Sequence, residues 1–314
     1  IEKMEKWNGH LYNWYDTRTL QPLKPLYVSS VDSGNYVCYL MTLTEGLKNY
    51  YSSPLADSVF VRGIKDTIMN GLGDDEEFPS SFIYFDFIEK EGRIDLIRWN
   101  KALDEFIRGE SVESIKNPVW KMKAVQMAQA LKEELNEFAP WVSVAESAPE
   151  ALFDDALAEE TNKLLEMLKT NVSLQEFTDR NKSIIKQIDK LLRDTVKITH
   201  KHKEQSFQDI FIWLNELIVS VIKSDQAVSE FQSNYKKLLK RLLDLTGNTS
   251  FAPLYNESRQ LFSIGYNIEE KKLTNSYYDL LASESRQTSF IAIARGDVPY
   301  KHWFMLGRAL TVVD

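Results

Sequence analysis

The sequence is short of reactive chemistry. Cys38 is the one cysteine among 314 residues, which excludes an internal disulfide and any cysteine-built metal cluster. It suits a reducing cytoplasm, and its apolar helical surroundings read as those of a core thiol. Histidine is nearly as scarce, with four in all. His200 and His202 stand two apart, which on a helix points them to different faces, so no metal site and no cofactor is expected. There is no G-x-S-x-G elbow and no Gly-rich phosphate loop. No apolar run approaches the ~20 residues that span a bilayer. The start, Ile1-Glu2-Lys3-Met4-Glu5-Lys6, has neither an initiator methionine nor an apolar signal-peptide core. The end, Arg308 to Asp314, carries no stop signal, so the sequence reads as a piece cut from a longer chain. Positive charge is in deficit too: 38 Lys and Arg against 46 Asp and Glu leave a net −8. Such a surface repels phosphate backbones, and nucleic acid is not an expected partner.

What is present is a globular composition, 43% hydrophobic and 27% charged, in a length that suits one large domain or two ordinary ones. Three regions differ in character. Residues 1–72 are rich in aromatics and turn formers, with Pro22 and Pro25 forcing an extended passage. Asp32 or Ser33 can cap a helix through Tyr36, Val37, Leu40, Met41, Leu43, Thr44 and Leu47, amphipathic or fully buried. A second helix is expected from about Leu55 to Asn70, ending near Gly71 and Gly73. Residues 73–247 turn to long helical patterns: one opened by Ile94 to Ile107, then Val119–Phe138, Ala151–Leu168, Leu174–Ile198 and Phe207–Leu245. Together they read as a bundle with a charged outside. In residues 248–314, Leu254-Tyr255 and Leu261–Asn267 flank a polar turn and predict a β-hairpin. A helix carrying Phe290, Ile291 and Ile293 follows, ended by Gly296 and Pro299.

Two segments, 7–35 and 277–303, mix Trp and Tyr with Asp, Glu, Arg and Asn at short spacing. Sugar sites need that mixture, because pyranose C–H faces pack on aromatic rings while the hydroxyls require carboxylates and guanidinium groups. Buried aromatics satisfied by local polar groups would give the same composition.

The same segments carry a resemblance. Asn8-Gly9-His10-Leu11-Tyr12-Asn13-Trp14-Tyr15-Asp16-Thr17-Arg18-Thr19-Leu20, then Tyr27-Val28-Ser29-Ser30-Val31-Asp32-Ser33-Gly34-Asn35, closely resembles the glycoamylase-like middle domain of bacterial cyclic β-1,2-glucan synthases. So do Leu261–Asn267, Tyr277-Tyr278-Asp279-Leu280-Leu281-Ala282-Ser283-Glu284-Ser285-Arg286, Ser289–Ala294, Gly296–Pro299 and His302-Trp303-Phe304. The helical middle matches in character alone. The resemblance implies a mainly α fold, a partial (α/α)6 toroid with a long helical-bundle region and a short hairpin. It implies anomer-retaining transglycosylation that closes linear β-1,2-glucan into a ring. The implied partners are the β-1,2-glucan oligosaccharide and neighbouring domains of a larger membrane-bound glycosyltransferase, on the cytoplasmic side of the bacterial inner membrane.

By the resemblance Glu284 is the general acid/base, in an apolar setting from Leu280, Leu281 and nearby tyrosines that would raise its pKa. A carboxylate in the first turn of a helix, favoured by the dipole, is the alternative. The second carboxylate of a retaining pair falls in a Gly-Ile-Ser-Glu type segment beyond Asp314. Asp16 and Asp32 are expected to hold sugar hydroxyls or brace the cleft, and Trp14 and Tyr15 to stack on rings. Arg18, Asn35 and Arg286 would hydrogen-bond nearby, and His10, Tyr278 and Asp279 complete the candidate set. Hydrolysis of β-1,2-glucan, as in related endo-glucanases, is an alternative outcome; a non-catalytic helical interaction module is another.

Overall fold

A computed structural model describes residues 1–72, 85, 94–154, 156–198 and 204–307. His200 and His202 lie outside them. The described residues are mostly helical, with three small sheets. They divide into two compact units, Ile1–Lys48 with Tyr235–Asp314, and Asn49–Asn234. The helices are α1 (Ser30–Ser52), α2 (Ser58–Leu72), α3 (Leu96–Arg108), α4 (Pro118–Phe138) and α5 (Trp141–Ala145), then α6 (Ala158–Lys169), α7 (Phe177–Ile198), α8 (Glu204–Gly247) and α9 (Arg286–Ala294). None is long and apolar enough to cross a membrane.

The unit of residues 49–234 is helical, and its helices start where the sequence supplies caps. Asp95 Oδ1 accepts from the amides of Ile97 and Arg98 at 2.8 and 3.1 Å, opening α3. Asn117 does the same for α4, with Pro118 at the first helical position. Ahead of α7, Glu176 Oε2 accepts from both the Ser173 amide and the Ser173 hydroxyl, and the Glu176 amide donates back to the Ser173 carbonyl. Beneath these helices Trp99, Phe106, Trp141 and Phe177 are fully buried with Ile64, Ile68 and Leu103. Arg180 packs beside them partly buried, its guanidinium 4.8 Å from the Trp141 ring and donating to the carbonyls that end α6, Met167 and Leu168. One continuous helix over 151–168 is not formed. A short 3-10 turn (Glu150–Phe153) stops at Asp154, whose carbonyl accepts from Leu157 and Ala158 to start α6 afresh. Leu152 and Leu157 both face the core, so the two sides of a bend mimic helical periodicity.

The other unit is built from both ends of the chain. β1 (Lys6–Trp7) and β2 (His10–Leu11) pair antiparallel around Asn8-Gly9, both at positive φ (49° and 84°), as a tight hairpin of primed type requires. A Cβ on Gly9 would stand 2.2 Å from the Asn248 carbonyl oxygen, so glycine also permits this backbone contact. The expected hairpin of residues 254–267 is present as β4 (Tyr255–Asn256) and β5 (Leu261–Ser263), Tyr255 facing Phe262. β6 (Gly265–Asn267) leaves it to pair with β3 (Tyr27–Ser29) on one side and β7 (Lys272–Leu273) on the other. β8 (Tyr277–Tyr278) completes the sheet of β4 and β5. Val28, Val37, Phe251, Leu254, Phe262, Ile291 and Ala292 form the core, against which Cys38 packs.

α1 begins earlier than expected and is not fully buried. Its cap is Ser29, whose Oγ accepts from the Asp32 amide at 3.2 Å, so Ser33 lies inside the helix. Small residues, Ser30, Ser33, Gly34 and Thr44, make the buried stripe with Val37 and Leu40, while Met41 and Leu43 face outward. Gly296, at φ 76°, follows α9 in the left-handed stop that its sequence promised.

Candidate functional site

The site is built where β3 runs into α1. The Asn13 amide donates to the Tyr27 carbonyl at 2.9 Å, and Asn13 Oδ1 accepts from the Ser29 amide at 3.0 Å. The 12–16 loop is thereby fastened to the strand that delivers Asp32. On its other side α1 meets α9 at very short range. A Cβ on Gly34 would fall 1.8 Å from Thr288 Oγ1, so a larger residue there would push the helices apart. Thr288 Oγ1 donates to the Ser30 carbonyl at 3.0 Å, and Ser30 Oγ donates to the Ser263 carbonyl at 2.6 Å. Residues 27–35 are thus locked onto 263–267 and 288, and the two motif segments form one piece of structure.

Glu284 is delivered by a braced turn. After β8 the chain bends at Asp279, 5% exposed. Its Oδ1 accepts from the Leu281 amide at 3.0 Å and its Oδ2 from the Gly307 amide at 3.3 Å. The Leu280 amide donates to the Met305 carbonyl at 2.8 Å, tying the returning strap of residues 299–307 to the same bend. Glu284 then sits in a 3-10 turn (Ser283–Ser285) just before α9, with an exposed side chain. The Arg286 guanidinium lies 3.3 Å from the Trp303 ring centroid and donates to the Trp303 carbonyl at 3.0 Å.

The electrostatics tie these pieces to one place. The half-buried Tyr278 phenol is pushed up from its ordinary pKa, first by burial, then by the Glu284 carboxylate, Tyr27 and Asp32. Both carboxylates therefore lie within electrostatic reach of one phenol, one from each motif segment. Tyr27 was not singled out from sequence, though it stands inside the first motif; its hydroxyl meets Thr274 Oγ1 at 3.1 Å.

Asp32 and Glu284 are the candidates whose charges reach Tyr278. Asn35 is partly exposed one turn beyond Asp32, Trp14 is 48% exposed and Arg18 is exposed, so all three are open to solvent. Others are occupied elsewhere. His10 is wholly buried, its Nε2 2.6 Å from the Ser250 carbonyl, and cannot reach a ligand here. The Tyr15 hydroxyl donates to the Glu5 carbonyl and accepts from the Tyr12 amide. Asp16 Oδ1 accepts from the Arg18 and Thr19 amides, bonds that hold its carboxyl below the usual range and shape the loop. Asp279 braces the bend, and Arg286 is stacked on Trp303. The apolar enclosure expected around Glu284 is not formed by its neighbours, because Leu281 is 64% exposed. Water is removed from this carboxylate only when something covers the turn. Among the described residues no group of three or more His, Cys, Asp or Glu is placed to hold a metal ion. What the arrangement offers is two carboxylates and a phenol on rigid elements, with exposed aromatic and hydrogen-bonding side chains at hand.

No family model matches the chain. Over its whole length it is similar to the cyclic beta-(1,2)-glucan synthase NdvB of Rhizobium meliloti (strain 1021), at 27% identity across 321 aligned residues. The chain spans 9% of that protein's length.

Proposed function

We propose that this chain is part of a cyclic β-1,2-glucan synthase and that the unit of residues 1–48 and 235–314 forms a wall of its glucan cleft. The observation that carries this reading is the close contact of the two acidic-aromatic segments, Gly34 against Thr288 and Thr288 Oγ1 on the Ser30 carbonyl, near the positions of Asp32 and Glu284. Similarity to a glucan synthase over the whole chain supports it. In this reading the fold is the toroid segment that the motifs imply. Glu284 is the general acid/base: it protonates the departing glycosidic oxygen, then takes the proton of the incoming hydroxyl. A bound glucan supplies the cover that its exposed turn lacks. Asp32 and Asn35 hold sugar hydroxyls, Arg18 adds a further donor and Trp14 stacks on a ring. The attacking carboxylate is supplied by the Gly-Ile-Ser-Glu type segment of the parent, about 5 Å from Glu284 in the assembled site.

The test is incubation of the protein carrying this sequence with linear β-1,2-glucan, separating cyclic from linear products by mass. Cyclic products are expected, with loss of roughly 100-fold or more in rate for Glu284→Gln. Full activity in that variant refutes the assignment of Glu284. The exposure of the site favours one second reading, hydrolysis, since water reaches the Glu284 turn as easily as a sugar hydroxyl does. A steady rise of reducing ends without rings would establish it in place of cyclisation.

A further inference from the structure

His302 belongs to none of the roles above, yet it sits at the crossing of three segments that hold the Glu284 turn. It is 3% exposed, enclosed by the rings of Phe262 at 4.9 Å and Tyr255 at 5.6 Å. Its Nδ1 is 3.1 Å from the Gln260 carbonyl and its Nε2 is 2.7 Å from Ser289 Oγ. A carbonyl can only accept, so Nδ1 carries the proton. In the neutral ring Nε2 is then an acceptor, and the Ser289 hydroxyl donates to it. Ser289 Oγ also stands 3.2 Å from the Ser285 carbonyl, next in the chain to Glu284. Ser285 is itself 1% exposed and bonded through both its amide and its hydroxyl to the Ala282 carbonyl. In the neutral Nδ1–H form the single Ser289 hydrogen goes to His302 and is withheld from the Ser285 carbonyl, so His302 decides which of the two acceptors Ser289 serves.

We propose that His302 is a positioning residue for Glu284: its neutral Nδ1–H form holds the Ser289 hydroxyl off the Ser285 carbonyl, and its protonation releases that hydroxyl to the carbonyl. The inference rests on the reading of Glu284 as acid/base. A proton added at Nε2 turns that atom into a donor. The Ser289 hydroxyl must then rotate away and give its hydrogen to the Ser285 carbonyl, which alters the bonding of the turn one residue from Glu284. Arg286 on α9 and Tyr255 on β4 are the titratable groups that face the ring. Burial and the Arg286 charge both press its pKa below the ordinary value, so the ring stays neutral at pH 7. Activity should consequently fall as acid protonates His302.

Ser289→Ala removes the donor and leaves the ring in place; His302→Asn keeps a donor toward Gln260 and loses the acceptor. In the protein carrying this sequence, each is expected to lower kcat on linear β-1,2-glucan by about 10- to 100-fold with KM little changed, as a displaced catalytic group does. The wild-type acid limb should track His302, observed by imidazole nitrogen NMR, and should be absent in Ser289→Ala. The same spectra should show the Nδ1–H tautomer. Folded variants with wild-type kcat and an unchanged acid limb, or an Nε2–H tautomer, overturn the proposal. If the wild type does not act on the glucan, the functional reading fails by itself and the hold is still measurable. Peptides covering residues 279–289 should then exchange amide hydrogens about 10-fold faster in both variants, and unchanged exchange refutes it.

Discussion

His10 should make this protein acid-sensitive, to an extent that the structure sets. Its Nε2 faces the Ser250 carbonyl at 2.6 Å, so that nitrogen carries the proton of the neutral ring. Nδ1 is buried with no partner, between Trp7 and Phe251. A second proton would have to go there, beside Arg295, in a place with no acceptor. Burial is the largest cause and the Arg295 charge adds to it; the Ser250 bond and Asp297 oppose. Together they bring the pKa from 6.5 to about 4. A group whose folded pKa is depressed contributes stability that is complete above its unfolded value and is lost as pH falls through the folded one. The interval between those two values is worth about 3 kcal/mol, spread over the descent from pH 6.5 to 4. Urea unfolding of wild type and His10→Gln, a variant that can still donate to Ser250, measures this directly. The wild type should lose about 2–3 kcal/mol more than the variant between pH 7 and pH 4.5. A difference that stays flat over that range, or a His10 imidazole titrating near 6.5 by NMR, refutes the reasoning.

Other perturbations probe both units. Gly34→Val drives a branched side chain into Thr288 and should lower the stability of the α1–α9 unit by about 1–3 kcal/mol or more, read from the urea midpoint. Trp141→Ala empties a fully buried site and should cost about 3–5 kcal/mol in the helical unit by the same measurement. Asp95→Ala removes the acceptor for two α3 amides and should cost about 1 kcal/mol. Glu134 is bonded to the Tyr50 hydroxyl, and burial, with Glu137 adding, raises its carboxyl pKa. Stability should fall as pH rises through that value, and Glu134→Gln should flatten the dependence between pH 4.5 and 7.

Much of the helical unit was legible from residue spacing, because its apolar stripes are wide and its caps are local. The break at Asp154 was not, since a bend with Leu152 and Leu157 both turned inward keeps the spacing of a helix. α1 misled in another way: serine and glycine share its buried face with Val37 and Leu40, and no hydropathy pattern marks them. The candidate site was legible as two motifs but not as a geometry. That the two motif segments come together depends on β3 pairing with β6, and strands of three residues leave almost no periodic trace. His10 stands in a motif and reads as a ligand, while its burial is decided by Ser250 and Phe251, far along the chain. His302 and Ser289 are likewise joined only through space.

The bonds that close the site span long stretches of chain: Ser30 to Ser263 is 233 residues and Thr288 to Ser30 is 258. During synthesis the first segment therefore emerges and waits, with its partner strands still untranslated, while the helical stretch between them can already collapse on local contacts. Closing so wide a loop costs little more at equilibrium than closing a moderate one, because the entropy grows only with the logarithm of length. The burden falls on timing instead. Val28 and Val37 stay uncovered until the last strands arrive, which makes the interval before their docking the period when the nascent chain is most prone to aggregate.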